Sequence, residues 1–149
     1  MKMSTKGRYA LEAVADLALH AREGTVSIRA ISGRRGISDN YLEQIFLQLR
    51  KAGLLHSVRG PQGGYRLAVD PTTLTAWDIV SIVEERMSPV QCPEPGEPGE
   101  CGRGNRCASR VVWDGMFREL ERTLRQVTVA DLTAAVERES QLAADDYCI

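Results

Sequence analysis

The feature that most constrains the fold is a short turn, Gly36-Ile37-Ser38, between two helical patterns. Before the turn, residues 28–35 predict a short helix for which Gly36 is a suitable C-terminal stop. After the turn, Ser38 is a typical N-cap for a longer helix over 39–52, which Gly53 ends. The apolar positions of this helix share one face and are Leu42, Ile45, Phe46 and Leu49. A short helix, a tight turn and a longer helix are typical of a helix-turn-helix unit.

Two short segments after this unit predict a β-hairpin. They are Leu54-Leu55-His56-Ser57-Val58 and Tyr65-Arg66-Leu67-Ala68, and the Gly/Pro-rich stretch 59–64 joins them. A hairpin directly after a helix-turn-helix is typical of the wing of a winged-helix domain. We therefore expect a mainly α fold with a small β-hairpin wing.

The N-terminal segment, residues 4–22, predicts a further helix that Gly24 ends. Its apolar residues recur at helical spacing and are Leu11, Val14, Ala15, Ala18 and Leu19. Glu12, Asp16 and His20 fall on the other, polar side of this helix.

Three more helices are predicted in the second half of the chain. Thr75 and Asp78 form a capping-box pattern for a helix over about 76–86. A long helix follows, with an apolar stripe made of Trp113, Met116, Phe117, Leu120, Leu124 and Val127. The core or a partner subunit can cover such a stripe. A last, short helix is expected from Thr128, with fraying from Gln141. We expect a DNA-binding domain over 1–70 and a helical dimerisation region over 71–149.

Charge divides the chain into two halves. Residues 1–66 carry 11 Lys and Arg against 5 Asp and Glu, whereas residues 67–149 carry 8 against 15. A basic half on an acidic half is the pattern expected of a DNA-binding head on a body that does not bind DNA. Ordinary fluctuation of charge along a chain is the alternative.

The apolar stretches are short. No run approaches the roughly 20 residues that span a bilayer. Glu12 and Asp16 also interrupt the stretch from Leu11 to Leu19, which argues against a signal peptide. We therefore expect a cytoplasmic protein without a membrane partner.

The polar face of the longer helix carries side chains suited to DNA. Its exposed positions are expected to be Asp39, Asn40, Glu43, Gln44 and Gln48, with Arg50 and Lys51 near its end. Asn and Gln can pair bidentately with adenine, and the Ser38 hydroxyl with the helix N-terminus can hold a phosphate. Arg59, at the hairpin tip, is placed to enter a narrow minor groove. Five other basic residues are expected to add phosphate contacts and nothing more: Lys2, Lys6, Arg8, Arg34 and Arg35.

Three of the four cysteines lie within 16 residues on a Pro-, Gly- and Glu-rich stretch that predicts an irregular loop over about 88–107. They are Cys92, Cys101 and Cys107, and Cys148 stands apart from them. In a reducing compartment such a cluster favours a metal or redox site over disulfides. Structural zinc sites show closely paired cysteines, and wider spacing suits an iron–sulfur cluster. Zinc and a dithiol switch are the alternatives.

Three thiolates leave one ligand position of such a cluster open. Protein candidates are His20, Glu12, His56, Glu94, Glu97, Glu100 and Cys148. Solvent or a small thiol can also complete the site.

At these positions the chain resembles the IscR/NsrR/CymR family of bacterial winged-helix regulators (the Rrf-two family). The matching stretches cover nearly the whole chain and include Ser4-Thr5-Lys6-Gly7-Arg8-Tyr9-Ala10, Gly36-Ile37-Ser38, Tyr41-Leu42-Glu43-Gln44-Ile45-Phe46, Leu49-Arg50-Lys51-Ala52-Gly53-Leu54 and Ser57-Val58-Arg59-Gly60-Pro61-Gln62-Gly63-Gly64-Tyr65. With two residues from these stretches added, the candidate DNA-binding set is Ser38, Asp39, Asn40, Tyr41, Glu43, Gln44, Arg59 and Gly60. The pattern is most similar to the IscR-like branch, whose members typically regulate iron–sulfur biogenesis or iron and stress responses.

The resemblance implies a homodimer joined through the long C-terminal helix, a palindromic site on double-stranded DNA, and a cluster ligated by the three clustered cysteines. A 2Fe–2S cluster is favoured and a 4Fe–4S cluster is the alternative. The sequence departs from the family pattern in its longer first cysteine gap and in Arg110, which stands where IscR has a histidine. Arg8 stands where NsrR-like proteins supply a carboxylate to the partner chain. Glu12, one helical turn on, is therefore the candidate fourth ligand, as Glu12 of the partner subunit.

The sequence thus predicts a transcription regulator whose DNA binding a cluster controls, in response to iron, redox state or nitric oxide. The alternative is a cluster-free regulator of the CymR type, which acts through protein contact. No catalytic triad, phosphate loop or convergent carboxylate pair argues for an enzyme.

Overall fold

A computed structural model of the chain describes residues 4–21, 24–88, 90 and 107–146. In chain order its elements are α1 (Thr5–His20), α2 (Ile28–Arg35), α3 (Asp39–Lys51), β1 (Leu55–Val58), β2 (Gly64–Leu67), α4 (Ala76–Val83), α5 (Arg110–Gln126) and α6 (Val129–Asp146). The two strands pair antiparallel. The architecture is therefore mainly α with a small β-hairpin, as predicted.

The turn between α2 and α3 forms where the sequence predicts it. Gly36 adopts a left-handed conformation with φ +66°, which a residue without Cβ takes up at no steric cost, and its N–H donates to the Ser32 carbonyl at 2.8 Å. Ser38 has the extended backbone of an N-cap, but its side chain makes no capping hydrogen bond with α3. The apolar face of α3 is buried as expected. The helix-turn-helix unit is thus fixed by local sequence.

The wing is joined to the segment that precedes α2. The Val26 N–H donates to the Tyr65 carbonyl at 2.9 Å, and the Tyr65 N–H donates back to the Val26 carbonyl at 2.8 Å. A Cβ on Gly64 would lie 2.5 Å from the Val26 carbonyl oxygen, so only glycine allows this approach. Val26 therefore pairs with β2 and adds a third backbone segment beside the two-stranded hairpin.

The core gathers residues from α1, α3, α4 and the start of α6. Phe46 is fully buried at its centre and meets Tyr65 edge-to-face, with ring centroids 5.1 Å apart. Leu74, Ile79, Val83 and Val129 belong to the same cluster. The helices after the wing thus pack directly on the helix-turn-helix unit.

Helix α4 has the predicted capping box but ends earlier than predicted. The Thr75 hydroxyl accepts from the Asp78 N–H, and the Asp78 carboxylate accepts from the Thr75 N–H at 3.0 Å. The helix stops at Val83 rather than near residue 86, because Glu84 is extended and its carboxylate accepts from the Ser4 hydroxyl at 2.6 Å and the Gly7 N–H at 3.1 Å. This contact with the first turn of α1 is not visible in local sequence.

One residue that helical spacing places on the polar side of α1 is buried. Asp16 has 0% exposure, because α2 packs over it and supplies arginines to its carboxylate. Arg34 and Arg35, expected to contact phosphate at most, both donate to this carboxylate and stay partly exposed, so a phosphate contact from either stays a prediction. A carboxylate inside a core is stable when charged hydrogen-bond donors surround it.

Helices α5 and α6 differ in how they are anchored. Helix α5 rests on α4 through Trp77 and Phe117, whose ring centroids are 6.0 Å apart. Helix α6 is 18 residues long and packs on α1, so the prediction of a last, short helix is wrong. It begins at Val129, one residue after the predicted start at Thr128, and hydrogen bonds from the Thr128 N–H and hydroxyl hold the pKa of Asp131 below its usual value.

A short antiparallel bridge joins the residues just before α4 to the residues just after α5. The Ala76 N–H donates to the Val127 carbonyl and the Val129 N–H donates to the Leu74 carbonyl, each at 2.8 Å. Within the described ranges, no helix is both long and apolar enough to cross a membrane.

Candidate nucleic-acid interface and cysteine site

The N-terminal end of α3 presents a polar surface. Exposed side chains of the candidate set here are Ser38, Asp39, Asn40, Glu43 and Gln44. Tyr41 is half-buried, and its ring meets the ring of Tyr9 edge-to-face at 5.6 Å. Tyr41 is thus held by α1, whereas the other five residues are available to a ligand.

The wing tip is exposed and has a fixed shape. Arg59 and Gly60 are both exposed, and Gly60 has φ +120°, a conformation that favours glycine. A Cβ on Gly63 would collide with the Val58 carbonyl oxygen, so the turn also requires glycine there. The Thr25 hydroxyl donates to the Gln62 carbonyl at 2.8 Å and joins the tip to the segment before α2.

Contacts also hold α3 and the wing relative to each other. Arg50, near the end of α3, donates from Nη1 to the Ser57 hydroxyl on β1 at 3.2 Å. The chain between them turns at Gly53, which has φ +81°. The C-terminal end of α3 and the first strand of the wing are therefore joined both by the chain and by a side-chain hydrogen bond.

Sequence reasoning missed the Asp16 cluster between α1 and α2. The signal was a carboxylate within an otherwise apolar run, residues 13–17, together with two adjacent arginines at the end of α2. Helical spacing alone assigns such a carboxylate to solvent, since it takes no account of a second helix packed over it.

Of the cysteine cluster, only Cys107 lies among the described residues. It is half-buried two residues before the N-cap end of α5, with its Sγ 3.1 Å from the Ser109 hydroxyl and its carbonyl accepting from the Arg110 N–H at 3.1 Å. Cys92 and Cys101 fall outside those residues, as do Cys148 and the loop glutamates Glu94, Glu97 and Glu100. The residues that are described contain no group of three or more potential metal ligands.

Candidates for the fourth ligand are spread over different surfaces. The Glu12 side chain is 41% exposed and lies 3.7 Å from Arg8 Nε. His20 Nδ1 lies 2.8 Å from the Asp16 carbonyl oxygen, and His56 is exposed on β1. The identity of the fourth ligand therefore stays a prediction.

Arg110 occupies the position of the histidine that the resemblance would call for. Its Nε lies 3.4 Å from the Asp114 carboxylate, one turn further along α5. A guanidinium is always protonated and has no lone pair to offer a metal. Arg110 therefore belongs to the helix start and not to a ligand set.

Residues 3–135 match the Rrf2 family, described as iron-dependent transcriptional regulators. The chain is 42% identical over 145 residues to the HTH-type transcriptional regulator IscR of Aliivibrio salmonicida (strain LFI1238), covering 97% of this chain and 83% of the relative. It is 41% identical over 132 residues to IscR of Vibrio vulnificus (strain YJ016), covering 89% and 77% respectively.

Two solved structures show the same fold at substantial identity. CymR (YrzC), the global cysteine regulator of B. subtilis, has a TM-score of 0.74 and 37% identity and covers 91% of this chain and 98% of its own. IscR of T. potens has a TM-score of 0.74 and 37% identity, with coverage of 93% and 90%. The mainly α fold with a β wing is thereby confirmed.

Proposed function

This chain belongs to the Rrf2 family of iron-dependent transcriptional regulators, and we propose that it binds a palindromic DNA site as a homodimer under the control of an iron–sulfur cluster. It is a DNA-binding regulator and not an enzyme. In this proposal residues 1–70 read DNA, whereas residues 71–149 provide dimerisation and sensing. The signal is iron, redox state or nitric oxide, and the protein acts in the cytoplasm.

The observation that carries the DNA-binding proposal is the joint exposure of the α3 start and the wing tip. The Ser38 hydroxyl makes no capping bond with α3 and so can bind a backbone phosphate at the positive end of this helix. Asn40, Glu43 and Gln44 are exposed beyond it and can reach base edges. Arg59 and Gly60 supply the contact of the wing.

The cluster proposal rests on the chemistry of the donor set. Three thiols of one segment suit iron–sulfur ligation, and Cys107 lies close to the positive end of the α5 dipole, which favours an anionic group. Cys92, Cys101 and Cys107 would hold the group, with Glu12 of the partner subunit as the candidate fourth ligand. The cluster would make the state of this segment depend on iron, and a 2Fe–2S cluster is favoured over a 4Fe–4S cluster. In this proposal the segment acts on the rest of the protein through α5, which begins shortly after Cys107.

An apolar surface on α5 supports the homodimer. Val112 and Met116 lie one turn apart and are 56% and 39% exposed, whereas Phe117 on the neighbouring face is buried against α4. A second copy of α5 is a suitable cover for this surface, because a symmetric pair presents the same patch from both subunits.

Replacing Arg59 with alanine is expected to weaken specific DNA binding about tenfold or more, since a well-placed arginine contributes roughly 1–3 kcal/mol. Fluorescence anisotropy measures this with a labelled duplex that the wild-type protein selects from a random-sequence pool. Arg118→Ala removes the same charge from an exposed site on α5 and should bind like the wild type. Wild-type affinity in Arg59→Ala would refute the role of the wing.

Changing Cys92, Cys101 and Cys107 together to alanine is expected to abolish the visible absorbance that anaerobic reconstitution with iron and sulfide gives the wild type. Thiolates are the ligands removed, so no site remains for the iron. Cys148→Ala is the matched control and should keep the absorbance. Full absorbance in the triple variant would exclude this ligand set, and retained dimer mass with normal melting would show that the variant is folded.

The second candidate is a cluster-free regulator of the CymR type, controlled by protein contact. Similarity to B. subtilis CymR over 91% of this chain favours it, as does the arginine at position 110. A colourless protein after anaerobic purification and reconstitution would decide for this candidate, or for a zinc or thiol switch if metal analysis finds zinc.

A further inference from the structure

We propose that Asp16 is a positioning residue for DNA binding, because its buried carboxylate fixes the orientation of α2 and thereby of α3 and the wing. This inference rests on the proposed reading of DNA by α3. It assigns a role to a buried carboxylate that neither the recognition surface nor the cysteine site uses.

The carboxylate of Asp16 is hydrogen-bonded by two arginines of α2. Arg34 donates from Nη2 to Oδ2 at 2.6 Å and from Nε to both carboxylate oxygens at 3.0 and 3.1 Å. Arg35 donates from Nε to Oδ1 at 2.9 Å. Asp16 itself is 0% exposed, while the arginines remain partly accessible. Charged donors on both oxygens make this the strongest kind of side-chain hydrogen bonding.

Helix α2 has limited apolar packing, with Ile28 and Ala30 only partly buried against the core. It is eight residues long, and Ile31 is its one buried residue. A surface helix normally turns three to four apolar residues toward the core in two turns, and in α2 only one of them is fully buried, so apolar packing leaves room for a second anchor. The two arginines at its C-terminal end therefore supply much of what fixes its direction on α1.

The position of α2 matters because both parts of the DNA-binding surface are attached to its ends. At its N-terminal end, Val26 pairs with Tyr65 of the wing. At its C-terminal end, Gly36 leads directly into the turn before α3. A rotation of α2 would therefore displace the α3 start relative to Arg59, and contacts to base edges depend on how these side chains are placed.

A different role for the arginines predicts the opposite result. If Arg34 and Arg35 served as phosphate contacts, Asp16 would merely compete for them. Removing its negative charge would then strengthen DNA binding, because the DNA-binding half would become more positive. If Asp16 positions α2, the same change weakens binding.

The test is the isosteric Asp16→Asn variant, measured by anisotropy with the wild-type-selected duplex and with an unrelated duplex of equal length. We expect at least tenfold weaker binding to the selected duplex and little change for the unrelated one. Asp70→Asn is the matched control. It removes a negative charge from an exposed residue, keeps an oxygen to accept from Thr72, and should bind slightly more tightly or equally.

A second variant covers the case in which Asp16→Asn does not fold, as circular dichroism would show. Arg35→Gln leaves Arg34 on the carboxylate, and we expect weaker specific binding with an unchanged slope of log K against log salt. A slope that is shallower by about 0.9 per lost contact would identify Arg35 as a phosphate ligand and overturn the inference.

Two failures remain distinguishable. Equal or tighter specific binding by a folded Asp16→Asn, while Arg59→Ala loses affinity, overturns the positioning role and leaves the proposed interface intact. Failure of the wild-type protein to select any sequence refutes the proposed DNA reading itself.

Discussion

Replacing Gly64 with alanine is expected to lower the free energy of unfolding by about 2–3 kcal/mol and to reduce specific DNA binding more than Arg59→Ala does. The new Cβ would lie 2.5 Å from the carbonyl oxygen and 2.6 Å from the carbonyl carbon of Val26. Because these are backbone atoms, the wing must move away and lose its two hydrogen bonds to Val26. Urea unfolding followed by circular dichroism, with anisotropy on the selected duplex, measures both effects.

Gly33→Ala is the matched control for this change. Gly33 is exposed inside α2, and a methyl group added there would have nothing within 4 Å of it. Alanine should therefore stabilise the protein by up to about 1 kcal/mol through its better helix propensity. Equal stability of Gly64→Ala and the wild type would show that the wing does not approach Val26 as described.

The double change Val112→Glu and Met116→Glu is expected to convert a dimer into a monomer. Both side chains are exposed and apolar in the single chain, and two glutamates on each copy would face each other across a symmetric α5 interface. Sedimentation velocity should therefore show the mass of one chain where the wild type shows two. DNA binding should weaken sharply as well, because a palindromic site needs two linked heads.

Arg118→Glu is the control for this pair of changes. It alters the net charge by the same two units at an exposed position of α5 that does not share the face of Val112 and Met116. We expect this variant to remain dimeric. A dimeric double-glutamate variant would exclude this face as the interface.

Local sequence signals predicted most of the fold. Gly36 and the Thr75–Asp78 pair act on their immediate neighbours, so the turn and the start of α4 follow from residue type and spacing. The exposed start of α3 follows in the same way, since the buried face of that helix is set by its apolar period.

The features that sequence reasoning missed depend on contacts between distant segments. Helix α4 ends early because Glu84 meets Ser4 and Gly7, which lie 80 and 77 residues away along the chain. Asp16 is buried because arginines 18 and 19 residues later fold over it. Helix α6 is longer than expected because packing on α1 supports a segment whose own pattern is weak. Residue spacing within one helix carries no record of these partners.

The segment that carries the clustered cysteines connects two anchored parts of the chain. Glu84 is hydrogen-bonded to the first turn of α1, and α5 packs against α4 through Phe117. The chain between Glu84 and α5 is therefore anchored at both ends. Closing a longer span between two set places adds only about 0.6 kcal/mol for each doubling of its length. Insertions there are therefore nearly neutral for stability. The spacing of the proposed cluster ligands Cys92 and Cys101 can therefore change at little cost in stability and without altering the helix-turn-helix unit.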